Sequence, residues 1–208
     1  MNPFYWLCWL IVRGFMIVYC RLKRAGIENI PKTGAFILAS NHISAADPPF
    51  LGSALGRPMH FMAKKELFDN FVLGPVISRL NALPVNRAVF DKNAMKISAE
   101  ILRNGGGLIM FPEGTRSKTG DLGKGRPGIG MLARTALVPI VPAYIHNSKS
   151  VIGIPFSRRR LIIAFGKPIS SEWISWVADD KNGYREIAAK VMEQIAELRA
   201  GVSEIASN

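Results

Sequence analysis

Cysteine is scarce: Cys8 and Cys20 are the only two in 208 residues, and both fall in one apolar stretch near the amino terminus. That excludes a disulfide framework, and without a C-x-x-C pair or a Cys/His cluster nothing suggests structural zinc. The chain therefore reads as cytosol-facing. No Gly-x-Ser-x-Gly elbow or Cys-His pairing marks a nucleophile, so a covalent enzyme intermediate is not indicated. No basic residue precedes the first apolar run and no small-residue cleavage site follows it, which argues against a signal peptide. Internal repeats and low-complexity tracts are lacking too. Acidic residues are few, 15 against 27 Lys and Arg, and the net charge of +12 implies an anionic partner. That partner is a nucleic acid, a phospholipid surface or a phosphorylated substrate. The cations rarely form runs, Arg158-Arg159-Arg160 apart, and few aromatics are interleaved with them, which speaks against nucleic acid.

What is present suits one domain with a sizeable core: 49% hydrophobic and 20% charged residues, with 19 glycines. Phe4 to Val12 are nine consecutive apolar residues, followed by Arg13-Gly14, by Phe15 to Cys20, and by Arg21, Lys23 and Arg24. A helix from Phe4 to Cys20 would be about 25 Å long, short of a hydrocarbon core of about 30 Å. Arg13 near its middle would cost roughly 2.5–3.5 kcal/mol on insertion. Shallow or re-entrant contact with a membrane is therefore expected over spanning, with a helix packed on the protein's own core as the competing reading. Residues 1–24 are read as a membrane-associated segment and 25–208 as the folded domain.

Beyond it, short apolar runs alternate with helical periodicity. Strands are expected at Ala35 to Ser40, Met59 to Ala63, Ala82 to Asn86, Leu108 to Phe111, Val138 to Tyr144 (an edge or bulged strand, because of Pro139 and Pro142) and Leu161 to Phe165. Helices are expected after Asp47, from Phe71 to Arg79, along Phe90, Ala94, Ile97 and Ile101, from Ile129 to Ala136, and along Ile187, Val191, Ile195 and Leu198. This alternation predicts an α/β fold: a mainly parallel sheet covered by helices on both faces.

Ligands of such sheets gather beyond the carboxyl ends of the strands. There lie His42, Lys64, Arg87 and Glu113 to Arg116. Asn41-His42-Ile43-Ser44-Ala45-Ala46-Asp47 places an imidazole and a carboxylate at a strand-to-helix turn. It has two readings, a loop histidine beside a helix cap, or a proton acceptor whose tautomer Asp47 fixes. Phe111-Pro112-Glu113-Gly114-Thr115-Arg116-Ser117 is either a tight turn or a cradle of N–H groups, a hydroxyl and a guanidinium suited to phosphate and a polyol. Lys124 and Arg126 precede a helix start, where anions are already favoured. His60 and His146 read as structural.

These stretches together resemble the glycerolipid acyltransferase family, in its bacterial 1-acyl-sn-glycerol-3-phosphate acyltransferase branch. Asn41-His42 with Asp47 fits N-H-x-x-x-x-D; Lys64-Lys65-Glu66-Leu67 through Val85-Asn86-Arg87 looks like the second block; Phe111 to Ser117 matches F-P-E-G-T-R-S; Val138 to Pro142 resembles the fourth. Asn86 and Leu122-Gly123 depart from the family's frequent aspartate and aromatic. The resemblance covers roughly residues 28 to 168. It implies transfer of an acyl group from acyl-CoA or acyl carrier protein to lysophosphatidic acid, giving phosphatidic acid for phospholipid synthesis. His42 would be the base and Asp47 its orienter, while Arg116, Arg87 and Lys64 hold phosphate and Glu113, Gly114 and Thr115 place the glycerol. No cofactor or metal is implied, no nucleic acid is a partner, and the place of work is the cytoplasmic face of the inner membrane.

Overall fold

The computed structural model describes residues 2–86, 89–154, 157 and 159–207. Its centre is β2 (Phe36–Ser40), all five of whose residues are buried. A strand buried on both faces needs apolar side chains in succession rather than alternation, as Phe36-Ile37-Leu38-Ala39 supplies. The other strands are β1 (Lys23–Ala25), β3 (Met59–Lys64), β4 (Ala82–Val85), β5 (Gly107–Met110), β6 (Ile140–His146) and β7 (Ile162–Phe165). They form one seven-stranded sheet in the order β1-β7-β6-β2-β5-β3-β4. Every pairing is parallel except β6 with β7.

Helices cover both faces. On one, α4 (Lys92–Arg103), α5 (Gly128–Ala136), α6 (Ser171–Trp176) and α7 (Lys181–Ser207) pack against Ile37, Ala39, Leu108 and Ile140. On the other, α1 (Pro3–Val18) and α2 (Asp47–Ala54) pack against Phe36, Leu38, Ile109 and Val141. The short α3 (Leu73–Arg79) leans on β3 and β4 through Ile77, Ala63 and Ala82. Helix α5 lies so close to α7 that a Cβ on Gly130 would stand 2.2 Å from the Tyr184 carbonyl oxygen, so a larger residue there would push the two helices apart.

Three sequence expectations are corrected. The proline-bearing β6 is not an edge strand; it lies between β2 and β7. The Pro139 carbonyl accepts from the Ile37 amide and the Ile145 amide turns to Asn41, so odd-numbered residues of β6 bond toward β2. Pro142 has the opposite parity, and its missing N–H falls where the β7 ladder ends at Ala143–Phe165. The helix expected from Phe71 begins at Leu73, because the Asn70 carboxamide oxygen accepts from the Val72 and Leu73 amides and leaves Phe71 exposed. Asp47 is not the N-cap of α2; Ala46 is, and the Asp47 carboxylate turns back instead to the Ile43 and Ser44 amides. Strand β1 and helix α6 were not foreseen from periodicity, being too short to show one.

The apolar amino-terminal segment is folded onto α2. Trp9 Nε1 donates to the Leu55 carbonyl at 2.8 Å, and Arg13 to the Ser53 and Ala54 carbonyls at 3.1 and 3.4 Å. Arg24 also donates to Ala54, at 2.9 Å. These are terminal carbonyls of α2 that lack partners within the helix, so Arg13 serves a helix end and stacks on the Trp9 ring. The outward side of α1 carries Leu7, Leu10, Ile11, Ile17 and Val18, all at least half exposed. Among the described residues no helix is long and apolar enough to cross a membrane.

Candidate active site

The first fixed point is the turn after β2. The His42 Nδ1 lies 2.8 Å from Asp47 Oδ2, and both residues are buried. The same oxygen accepts from the Ile43 and Ser44 amides at 2.8 Å each. The other carboxylate oxygen, Oδ1, accepts from the Ser148 hydroxyl at 2.5 Å. Four donors thus hold one carboxylate, which holds the imidazole through Nδ1 and leaves Nε2 for chemistry. The His42 ring stacks on Phe111, 3.9 Å between centroids. Asn41 bonds both backbone groups of Ile145 through its carboxamide, extending the β2–β6 ladder past the last paired residue.

The turn after β5 wraps this histidine. Glu113 is buried, and its two oxygens accept from the His42 and Gly123 amides at 3.3 and 3.0 Å. Ser117 N donates to the His42 carbonyl at 2.7 Å. Gly114 has φ +74°, a left-handed backbone that favours glycine, and it lies against the Arg126 side chain. Thr115 and Arg116 are exposed beyond the turn. Lys64, at the end of β3, is exposed and lies 3.2 Å from Glu66.

Two cavities open onto His42, and Met62 and Ile109 also line both. The first, about 500 Å³, runs between α1, α2 and α3, with Lys64 and Arg116 among its walls. The second, about 640 Å³, lies toward α4, α5 and α7, and Gly114, Arg126 and Lys181 line it. The structure thus sets His42, held by Asp47, where both cavities open, with Lys64 and Arg116 in the wall of the first and Gly114 in that of the second. Glu113 stands there too, but its carboxylate is occupied by backbone amides. Arg87 lies outside the described residues. Away from the cavities, burial pushes the His60 imidazole below its ordinary value, opposed by the Gly107 carbonyl. His146 is lowered by burial and then by Arg199 and Arg159.

Sequence reasoning missed Ser148, Phe111 as a stacking partner, and Lys181. Ser148 is 101 positions from Asp47 and no spacing rule could pair them. Phe111 was within reach, since it lies inside the block already singled out.

A family model described as Acyltransferase matches residues 21–146. The 1-acyl-sn-glycerol-3-phosphate acyltransferase of Bacillus subtilis is 30% identical over 162 residues, covering 77% of this chain and 76% of that protein. A probable enzyme of the same name from Mycoplasma genitalium is 33% identical over 160 residues, covering 74% and 56%. That from Streptococcus pneumoniae is 30% identical over 165 residues, covering 78% and 60%. The chain thus spans less than two thirds of the last two relatives. The crystal structure of the 1-acyl-sn-glycerophosphate acyltransferase from Thermotoga maritima superimposes with a TM-score of 0.68 at 27% identity, covering 94% of this chain and 78% of that one.

Proposed function

Because the chain belongs to the acyltransferase family, we propose that it transfers an acyl group from a thioester to the sn-2 hydroxyl of 1-acyl-sn-glycerol-3-phosphate, giving phosphatidic acid. The observation that carries the reading is the buried His42–Asp47 pair facing a cavity walled by Lys64 and Arg116. The acceptor hydroxyl gives its proton to His42 Nε2 as its oxygen bonds to the thioester carbonyl carbon. When the C–S bond breaks, the proton returns from the imidazolium to the departing thiolate. Asp47 keeps Nδ1 protonated and stabilises the transient cation; general base catalysis of this kind contributes about 10²–10⁴-fold.

Arg116 and Lys64 are the groups for the phosphate, with Arg87 as a third on sequence grounds, and Gly114 and Thr115 shape the glycerol subsite. Glu113 acts by fixing the His42 backbone, which suits its bonded carboxylate better than a substrate contact. The donor is acyl-CoA or acyl carrier protein. The outward apolar residues of α1, above a cationic protein, fit attachment to the cytoplasmic surface of an anionic bilayer.

Thioester consumption with lysophosphatidic acid as acceptor tests the reading. Wild type turns over and His42→Ala loses about 10²–10⁴-fold; equal rates would overturn it. Flotation with anionic liposomes tests attachment: wild type floats, and replacing Leu7, Leu10 and Ile11 by serine releases it.

A further inference from the structure

The net charge of +12 is not spread evenly along the chain. Residues 2–27 and 114–171 hold 14 Lys and Arg against one carboxylate, Asp121, while the rest of the chain holds 13 against 14 carboxylates. Asp121 is itself engaged, by Arg199 at 3.3 Å. The whole surplus therefore belongs to α1, β1 and the stretch that runs from Gly114 through β7.

Folding gathers several of these cations at one end of the sheet. Strand β7 runs antiparallel to β6, and β1 runs parallel to β7, so β1 and β7 begin where β2 and β6 finish, at the His42 end. Lys23 opens β1, and Arg159 and Arg160 lie just before β7. The Arg21 guanidinium joins the two approaches by donating to the Ser157 carbonyl at 3.0 Å, and the Asn147 carboxamide donates to the Arg160 carbonyl at 2.9 Å. Lys118 follows Ser117, whose amide bonds the His42 carbonyl, and Lys149 follows Ser148, whose hydroxyl bonds Asp47. The Lys149 ammonium donates to the Lys118 carbonyl at 2.9 Å and ties these two loops together. Lys23, Lys118, Lys149, Arg159 and Arg160 are all exposed, and among the described residues none of them has a carboxylate partner. Like charges so placed repel one another until an anion neutralises them.

We propose that this cationic rim docks on anionic lipid headgroups, holds the His42 end of the sheet against a charged bilayer, and makes turnover of a membrane-borne acceptor rise with the bilayer's anionic fraction. The proposal rests on the acyl-transfer reading above and adds a charged contact, drawn largely from residues far from α1 in sequence, to the apolar contact of α1. A bilayer is favoured over other polyanions by what adjoins the rim. Helix α1 ends at Val18, just before Arg21 and Lys23, and its last residues Ile17 and Val18 are 52% and 82% exposed. Apolar side chains beside cations match an interface of acyl chains and headgroup phosphates.

The test compares phosphatidylcholine vesicles with and without phosphatidylglycerol, using the full chain and the double variant Arg159→Gln/Arg160→Gln. Two lost cations are expected to weaken binding to the anionic vesicles about thirtyfold and to leave binding to the neutral ones as in wild type. Added salt should release wild type from the anionic vesicles by screening. With lysophosphatidate carried in vesicles, wild-type turnover should rise with the phosphatidylglycerol content and that of the variant should not. With a water-soluble short-chain lysophosphatidate and no vesicles, the two proteins should be equal. Arg159→Lys/Arg160→Lys should behave as wild type, and Lys23→Gln/Lys149→Gln replaces the first variant if that one fails to unfold cooperatively. The proposal is overturned if folded variants bind anionic vesicles as wild type does, or lose neutral vesicles equally, or raise the KM of the thioester donor without vesicles, which would give the rim to the donor's phosphates. A wild type inactive on both acceptors would instead sink the acyl-transfer reading, while the vesicle binding still judges the rim.

Discussion

Around His42 the polar groups are bonded into the fold, whereas the cations proposed to hold the phosphate stand in solvent. Asp47 has four donors, Asn41 spans the Ile145 backbone, and Glu113 accepts two amides, all of them buried. Lys64 and Arg116 are exposed, and the ion pair of Lys64 with Glu66 lies in water where such pairs contribute little. The difference follows from what each group must do. A base acting within one transition state loses rate with every misoriented state, so its supports are rigid and costly to leave unsatisfied. A phosphate ligand must first meet its substrate, and a long solvated side chain does that without a preformed socket.

Substitutions at the two regions should therefore fail differently. The largest effect is expected from Asp47→Asn, which removes the charge facing His42 and puts N–H donors where amides now donate. Turnover should fall by about 10²–10⁴-fold, read as kcat at saturating substrates. A loss in KM alone would place Asp47 with the binding groups instead. Ser148→Ala strips Asp47 Oδ1 of its donor in a buried site; at about 1–3 kcal/mol for an unsatisfied acceptor, kcat should drop about 5- to 150-fold with both KM values held, and Ser148→Thr should restore it. Arg116→Ala should raise the lysophosphatidate KM about tenfold and leave kcat nearly intact, as the loss of one charge-assisted contact does, while Lys64→Ala costs only about two- to fivefold. If kcat collapses in either cation variant, the contrast between rigid centre and solvated rim is broken.

The smallest effect concerns stability and acid. His60 and His146 have folded values below the ordinary 6.5, so between the two values the unfolded chain binds a proton that the folded chain does not. Stability is then full above about 6.5 and falls as pH drops toward the folded values. Urea unfolding across that range should show the decline, and His60→Gln should flatten part of it; a decline of equal size in the variant would remove His60 as its source.

How legible all this was in the sequence depended on distance along the chain. Strand β2 announced itself by four apolar residues in succession, and α4 and α7 by their period, because those signals come from one element burying one face. The His42–Asp47 pair was readable too, since the two lie only five positions apart in one turn. Arg13 shows the limit. In sequence it is a charge inside an apolar helix, and its worth there depends on whether lipid or protein surrounds it. Only the packing of α1 on α2 shows the carbonyls it serves.

By itself the sequence determined the alternation of strands and helices, the turn that presents His42, and the cations at the strand ends, all consequences of local backbone preference and burial. The tertiary structure decided that proline-bearing β6 is interior, that Ser148 holds Asp47, that Glu113 braces His42, and that two cavities part at the histidine. Each of these depends on which strands become neighbours across a hundred residues or so. Strand order is chosen by the summed burial of two apolar faces, and no single stretch of chain carries that sum.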